Sequence, residues 1–193
     1  MEELVEPDNI CELDIRAGMF GWSPRERHAL VSSVDIVETV PEAVQRLLMT
    51  AKNLVVFSCF HYPFNMVAAQ TAFSAIELAV RLRSEADGLS GNLRGLHDSM
   101  QRAINQKWIA DDATLSRPLR QQQVVSPEAG LTYVEVPAAE QFVEVLGKVF
   151  PKYRNEMAHG SSIMDNLGAD MVLDANRIIN QIFRQTPVSN ALP

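Results

Sequence analysis

The chain has 193 residues, 47% of them hydrophobic and 21% charged, with 10 prolines, 9 glycines and 2 cysteines. That is enough for one domain with its own core, and it excludes collagen-like, low-complexity and disordered readings. The net charge of −7 arises entirely in residues 1–45, which hold ten acids and three arginines; residues 46–193 balance fourteen acids with fourteen bases. With no broad basic face, a high-affinity, sequence-blind nucleic-acid binder is excluded, whereas a local site that handles one phosphate is not.

In chain order, residues 1–22 are acidic and irregular and read as an arm laid on the domain. Ser23-Pro24-Arg25-Glu26 has the form of a capping box with proline at the first helical position, so a helix starts there. Its continuation Val34-Asp35-Ile36-Val37-Glu38-Thr39-Val40 is β-branched enough for a strand and leaves helix and strand open. Val44, Leu47, Leu48, Ala51 and Val55 then follow helical spacing, predicting a helix from about Pro41 to Phe60. Phe73, Ile76 and Val80 among many alanines predict a long helix from Pro63 to about Ala86, closed by Gly88. Leu93, Leu96, Met100, Ile104 and Trp108 mark a third helix. Phe142, Val145, Leu146, Val149, Phe150 and Tyr153 mark a fourth, and Leu167, Met171, Ala175, Ile178 and Ile182 a fifth, stopped by Pro187. Five amphipathic stripes must bury one another, so the expected fold class is all-α, a bundle of four to five main helices. Trp22 and Trp108 read as core anchors rather than base-stacking platforms.

The expected organisation is an acidic arm plus short helix over 1–40 and a helical bundle over 41–187, interrupted by an insertion at 111–137. Within that insertion Gln121–Val125 and Leu131–Val136 flank Ser126-Pro127-Glu128-Ala129-Gly130, the pattern of a small extended β-hairpin. With Arg117, Arg120 and a glutamine run it is either a lid or RNA-contacting flap, or a surface excursion without a role. From Asn53 to Ile76 there is no Asp, Glu, Lys or Arg, a length that would span a bilayer. His61, Pro63, Asn65 and Gln70 interrupt it, so two buried helix ends meeting at a bend are expected, with no membrane association. The acidic start carries no basic-then-apolar leader, and Cys11 and Cys59 form no disulfide framework, so a reducing cytoplasm is the expected setting.

One local constellation carries chemistry. Arg154-Asn155-Glu156-Met157-Ala158-His159 is followed by Gly160-Ser161. An Arg-Asn pair with a His five places after the Arg arises by chance about 0.014 times in a chain of this composition. His159 titrates near neutral pH and suits proton transfer. Arg154 offers a planar fork for phosphate oxygens, and Asn155 a hydrogen bond to orient either partner. RNA brings its own nucleophile, the 2′-hydroxyl beside the scissile phosphate, so a base, an acid and a positive charge are sufficient. No metal ligands are evident, since His28, His61 and His97 are scattered and there is no His/Cys cluster, and no cofactor is expected. On an unbroken helix Arg154 and His159 stand about 140° apart, so convergence needs the helix to end near Gly160. Glu77, a carboxylate on the most apolar helix, is the expected anion for a partly buried Arg154, and Tyr153 supports the motif from the adjoining stripe.

These residues resemble the HEPN superfamily, whose signature is an Arg, a polar residue and a His a few positions on. Thr71–Arg83 is similar to the long second helix of bacterial HEPN-like proteins, and Lys152–Ser161 to their motif end. The resemblance covers roughly residues 41–185 and leaves the acidic arm and the 111–137 insertion outside. It implies a homodimeric α-helical bundle and, in active members, metal-independent endoribonuclease action through Arg154, Asn155 and His159, in toxin or phage-defence settings. An RNA substrate and an antitoxin or other protein partner follow from the same resemblance. One motif supplies one histidine while the reaction wants both acid and base, and a two-fold dimer would bring two motifs together. Other members are non-catalytic binding or regulatory modules, which is the alternative here. The bland readings stand beside both: His159 as a cation at a helix C-terminus, Arg154 paired to Glu77, and Glu77 paired to Arg81 one turn on. Binding of a nucleotide or other small anion at Arg154 is a third reading.

Overall fold

A computed structural model describes residues 4–110, 121–126, 130–135, 142–158 and 167–184. Its packed body is helical: α1 (Ile15–Met19), α2 (Pro24–Ser32), α3 (Glu42–Phe57), α4 (Phe64–Ala86), α5 (Gly95–Asn105), α6 (Phe142–Ala158) and α7 (Gly168–Arg184). Between α5 and α6, strands β1 (Gln121–Ser126) and β2 (Gly130–Glu135) pair antiparallel, with Gln121 opposite Glu135 and Ser126 opposite Gly130. Among the described residues no helix is long and apolar enough to cross a membrane.

The bundle is organised around α4 and α7. In α4 the alanines at 68, 69, 72, 75 and 79 are all fully buried, and their small side chains let neighbours approach closely on several sides. α3 and α7 make the most extensive contacts with α4, and α5 and α6 cover its remaining flank. α3 contributes the stripe Val44, Leu48, Ala51 and Val55, all buried, at the i, i+4, i+7, i+11 spacing that keeps one face inward. α6 approaches α5 at Gly147, where a Cβ would stand 3.0 Å from Ile104 Cδ1. Pro151 lies inside α6, where its missing N–H leaves the Gly147 carbonyl without its i+4 donor.

α7 is buried along nearly its whole length and carries a polar spine, with Asp174, Asn176, Asn180 and Gln181 all inside. Buried amides need partners, and all but the Asn176 Oδ1 find them in the connecting backbone. Asn176 Nδ2 donates to the Val34 carbonyl at 2.8 Å, and Asn180 Nδ2 to that of Asp35 at 2.7 Å, while Asn180 Oδ1 accepts from the Val37 amide at 3.1 Å. Gln181 both donates to and accepts from the backbone of Ala110. The β-branched run 34–40 is therefore neither helix nor strand. Its backbone groups are taken up by side chains of α7, and by Lys52 Nζ on the Val34 carbonyl, instead of by a neighbouring strand. At the far end of α7 the orphan carbonyls of Ile182 and Phe183 accept from Arg83 and Thr39.

The amino-terminal segment is more ordered than its composition predicts. Ser23 caps α2 as expected, accepting from the Glu26 amide at 3.2 Å while its hydroxyl donates to Glu26 Oε2 at 2.7 Å. Upstream, Asp14 caps α1 and clamps it to the α3–α4 corner. Its carboxylate accepts from both the backbone and the side chain of Arg16 and from the Tyr62 amide at 2.9 Å, and its own amide donates to the Cys59 carbonyl. Phe20, Trp22 and Tyr62 stack with centroids 5.2 to 5.9 Å apart, and the Arg27 guanidinium lies 3.9 Å from the Trp22 ring centroid. Trp22 thus anchors a partly exposed stack, whereas Trp108 is buried in the core beneath Arg83.

Candidate functional site

Two aromatic rings set the position of the motif. Phe150 of α6 packs on Phe73 of α4 with centroids 4.9 Å apart, and Tyr153 meets Phe73 edge-on. One turn beyond each of the first pair lie Arg154 and Glu77, and the pairing of the rings brings their side chains together. Arg154 Nε stands 3.7 Å from Glu77 Oε1, within ion-pair range and beyond a hydrogen bond. The Arg154 side chain is 42% exposed and that of Glu77 29%, so the pair sits at the surface and solvent screens it. Neither oxygen of Glu77 accepts a hydrogen bond from another described residue.

The other expected site residues divide. The Tyr153 hydroxyl donates to Met66 Sδ of α4 at 3.6 Å. Asn155 is exposed, about 100° around the helix from Arg154. Lys148 and Lys152 are exposed on the same helix. His159 lies outside the described residues, as do Gly160 and Ser161; the described part of α6 ends at Ala158. The arrangement therefore brings Arg154 and Glu77 together and leaves Asn155 free towards solvent.

Glu77 has a second neighbour that the sequence did not reveal. It lines a cavity of about 300 Å³ where α3, α4 and the start of α5 meet, with Leu47, Leu78 and Leu93 as apolar walls and Arg81 and Ser99 as polar ones. Arg81, one turn from Glu77, is no ion-pair partner of it and is exposed at the cavity edge. The i, i+4 spacing of these two residues was visible in the sequence, but that spacing signals a surface pair and says nothing of a cavity between helices distant in the chain. A larger cavity, about 550 Å³, lies between α7 and the 33–37 segment, lined by Asp35, Arg177, Asn180 and Arg184. There Arg177 is held by Asp174 at 3.0 Å and both ends of the Asn180 amide are used by backbone.

Comparison with family models, with curated proteins and with solved structures finds no match to this chain. The site rests on its own chemistry.

Among the described residues no three His, Cys, Asp or Glu side chains come together to hold a metal ion. Buried titratable groups lie away from Arg154. Burial pushes the Cys59 thiol up and the Lys52 ammonium down, the latter opposed by Asp35, and burial also lowers Arg27. Asp14 is held well below the usual carboxylate range, chiefly by its hydrogen bonds from the Arg16 side chain, with the Tyr62 amide adding to them.

Proposed function

We propose that this chain is a HEPN-like helical bundle acting as a metal-independent endoribonuclease. The observation that carries the reading is the half-exposed Arg154 side chain, held only loosely by Glu77 at 3.7 Å, within the sequence Arg154-Asn155-x3-His159. A guanidinium without a hydrogen-bonded carboxylate is available to a phosphate, for which its fork geometry is suited. In the proposed reaction the RNA 2′-hydroxyl attacks the adjacent phosphorus. Its proton passes to a base, the P–O5′ bond breaks, and an acid protonates the leaving 5′-oxygen, giving a 2′,3′-cyclic phosphate. His159 is the proton-transfer group, Arg154 stabilises the charge that builds on the phosphorane, and Asn155 orients. A homodimer supplies the second histidine for the complementary step. The β1–β2 insertion is the flap of this reading. A cytoplasmic setting with an antitoxin or other protein partner, in toxin or phage-defence biology, belongs to it as well.

The alternative is a non-catalytic helical dimer that binds a partner, and the Arg154–Glu77 pair itself favours it, since a structural arginine would be paired in this way. The deciding experiment is incubation of the purified chain in excess EDTA with single-stranded RNA and tRNA, beside a DNA strand and the His159→Ala variant. Cleavage of RNA only, ending in 2′,3′-cyclic phosphates and lost in the variant, is the expected result. No cleavage by a folded dimer, or equal cleavage by His159→Ala, overturns the enzyme reading.

A further inference from the structure

From the cavity lined by Glu77, the ion-pair partner of Arg154, we infer that the site holds a guanine base, with Glu77 and Arg81 reading its edge and Arg154 taking the adjoining phosphate. The inference rests on Arg154 being the phosphate-binding group proposed above. Three observations carry it. Glu77 lines the cavity, and its carboxylate has no hydrogen-bond donor among the described residues, its ion-pair partner Arg154 standing 3.7 Å away. A carboxylate can accept up to about four hydrogen bonds, so Glu77 has acceptor capacity for the donors of a ligand. Leu47, Leu78 and Leu93 line the same cavity, giving apolar surface to the faces of a flat ring. Its volume of about 300 Å³ lies at the small end of ligand sites.

Among the four RNA bases, guanine fits this donor and acceptor pattern. Its N1–H and N2–H point side by side from one edge and match the two carboxylate oxygens of Glu77. Its O6 and N7 accept on the neighbouring edge, where a guanidinium such as that of Arg81 pairs in bidentate fashion. Adenine would set the N1 lone pair against the carboxylate, and cytosine would do the same with N3. Uracil offers a single N3–H flanked by two carbonyl oxygens. Bases splayed from single-stranded RNA are read on these edges. Arg154, beside Glu77 on the neighbouring helix, is placed to reach the phosphate of the same nucleotide.

The test titrates the full chain with guanosine 3′-monophosphate, adenosine 3′-monophosphate and inorganic phosphate. The guanosine nucleotide is expected to bind at least about tenfold more tightly than the other two, the discrimination of one good bidentate contact. Glu77→Gln, checked for helical content by circular dichroism, brings the two nucleotides to about equal affinity. Arg184→Gln, in the other cavity, leaves the preference unchanged. Equal affinity for both nucleotides, binding no better than phosphate alone, no binding at all, or a preference that survives Glu77→Gln would each overturn the inference. Cleavage mapping separates its failure from that of the nuclease reading. RNA cut without guanine bias by both wild type and Glu77→Gln removes the base site and keeps the nuclease. Guanine-selective binding by a chain that cuts no RNA in EDTA keeps the base site and removes the nuclease.

Discussion

Gly168, the first residue of α7, lies directly against Asn65 near the start of α4: a Cβ added to it would run into the Asn65 backbone carbonyl and stand 2.7 Å from its side-chain Cγ and Oδ1. Asn65 is fully buried, and its Oδ1 accepts from Arg27 at 2.9 Å, so α2, α4 and α7 meet at this one point. Gly168→Ala must move α7 or break that contact, because a backbone atom cannot swing aside. The expected cost is about 3 kcal/mol in urea unfolding, the upper range for overpacking. Gly18, in α1 with nothing within 4 Å of its would-be Cβ, is the matched control, and Gly18→Ala is expected to gain about 0.5–1 kcal/mol. Similar effects at the two glycines would refute the close approach.

Substitution of Arg154 tests the proposed nuclease reading apart from stability. A half-exposed pair at 3.7 Å is worth about 0.5 kcal/mol or less. Arg154→Ala should therefore melt within a few degrees of wild type while losing RNA cleavage at least about a hundredfold, the scale of a lost charge stabiliser. A large fall in melting temperature with activity retained would assign Arg154 to the framework.

Asp14 gives the fold an acid-sensitive latch. Its folded carboxyl lies well below its ordinary 3.8, because the charged form accepts hydrogen bonds from Arg16 and the Tyr62 amide. A depressed folded value means that the unfolded chain takes up the proton first. The contribution is complete above about pH 5 and drains away as pH falls through 4 and below. Asp14→Asn should cost about 2 kcal/mol at pH 7, as for hydrogen bonds to a charged group. The gap to wild type should narrow by pH 2.5. A gap that stays constant over that range would show that the charge is not what holds the segment.

The helices were legible because each buries a periodic stripe. The periodicity placed the third helix of the structure at about Pro41 to Phe60, where α3 runs Glu42–Phe57, and the next one to Ala86, where α4 ends. Stripes of Val, Leu and Ile repeat whatever the partner is, so a single chain displays them. The run 34–40 was illegible for the converse reason. Its β-branched residues state a local preference, and the partners that overrode it, Asn176 and Asn180, lie more than a hundred residues away. The order of α1 was hidden likewise, since the acidic composition of the segment gives no sign that Asp14 is received by the Tyr62 amide.

For the site, sequence alone determined the residue types and their spacing: Arg154, Asn155 and His159 on one short stretch, and a lone carboxylate, Glu77, on an alanine-rich helix. Chemistry at this level needs only identity and order. What the tertiary structure decided is which groups meet. The packing of Phe73 against Phe150 sets Glu77 beside Arg154, and the convergence of α3, α4 and α5 leaves a cavity that Glu77 also lines. Both depend on packing between segments tens of residues apart, where shape and volume across helices, rather than any local pattern, fix the distances.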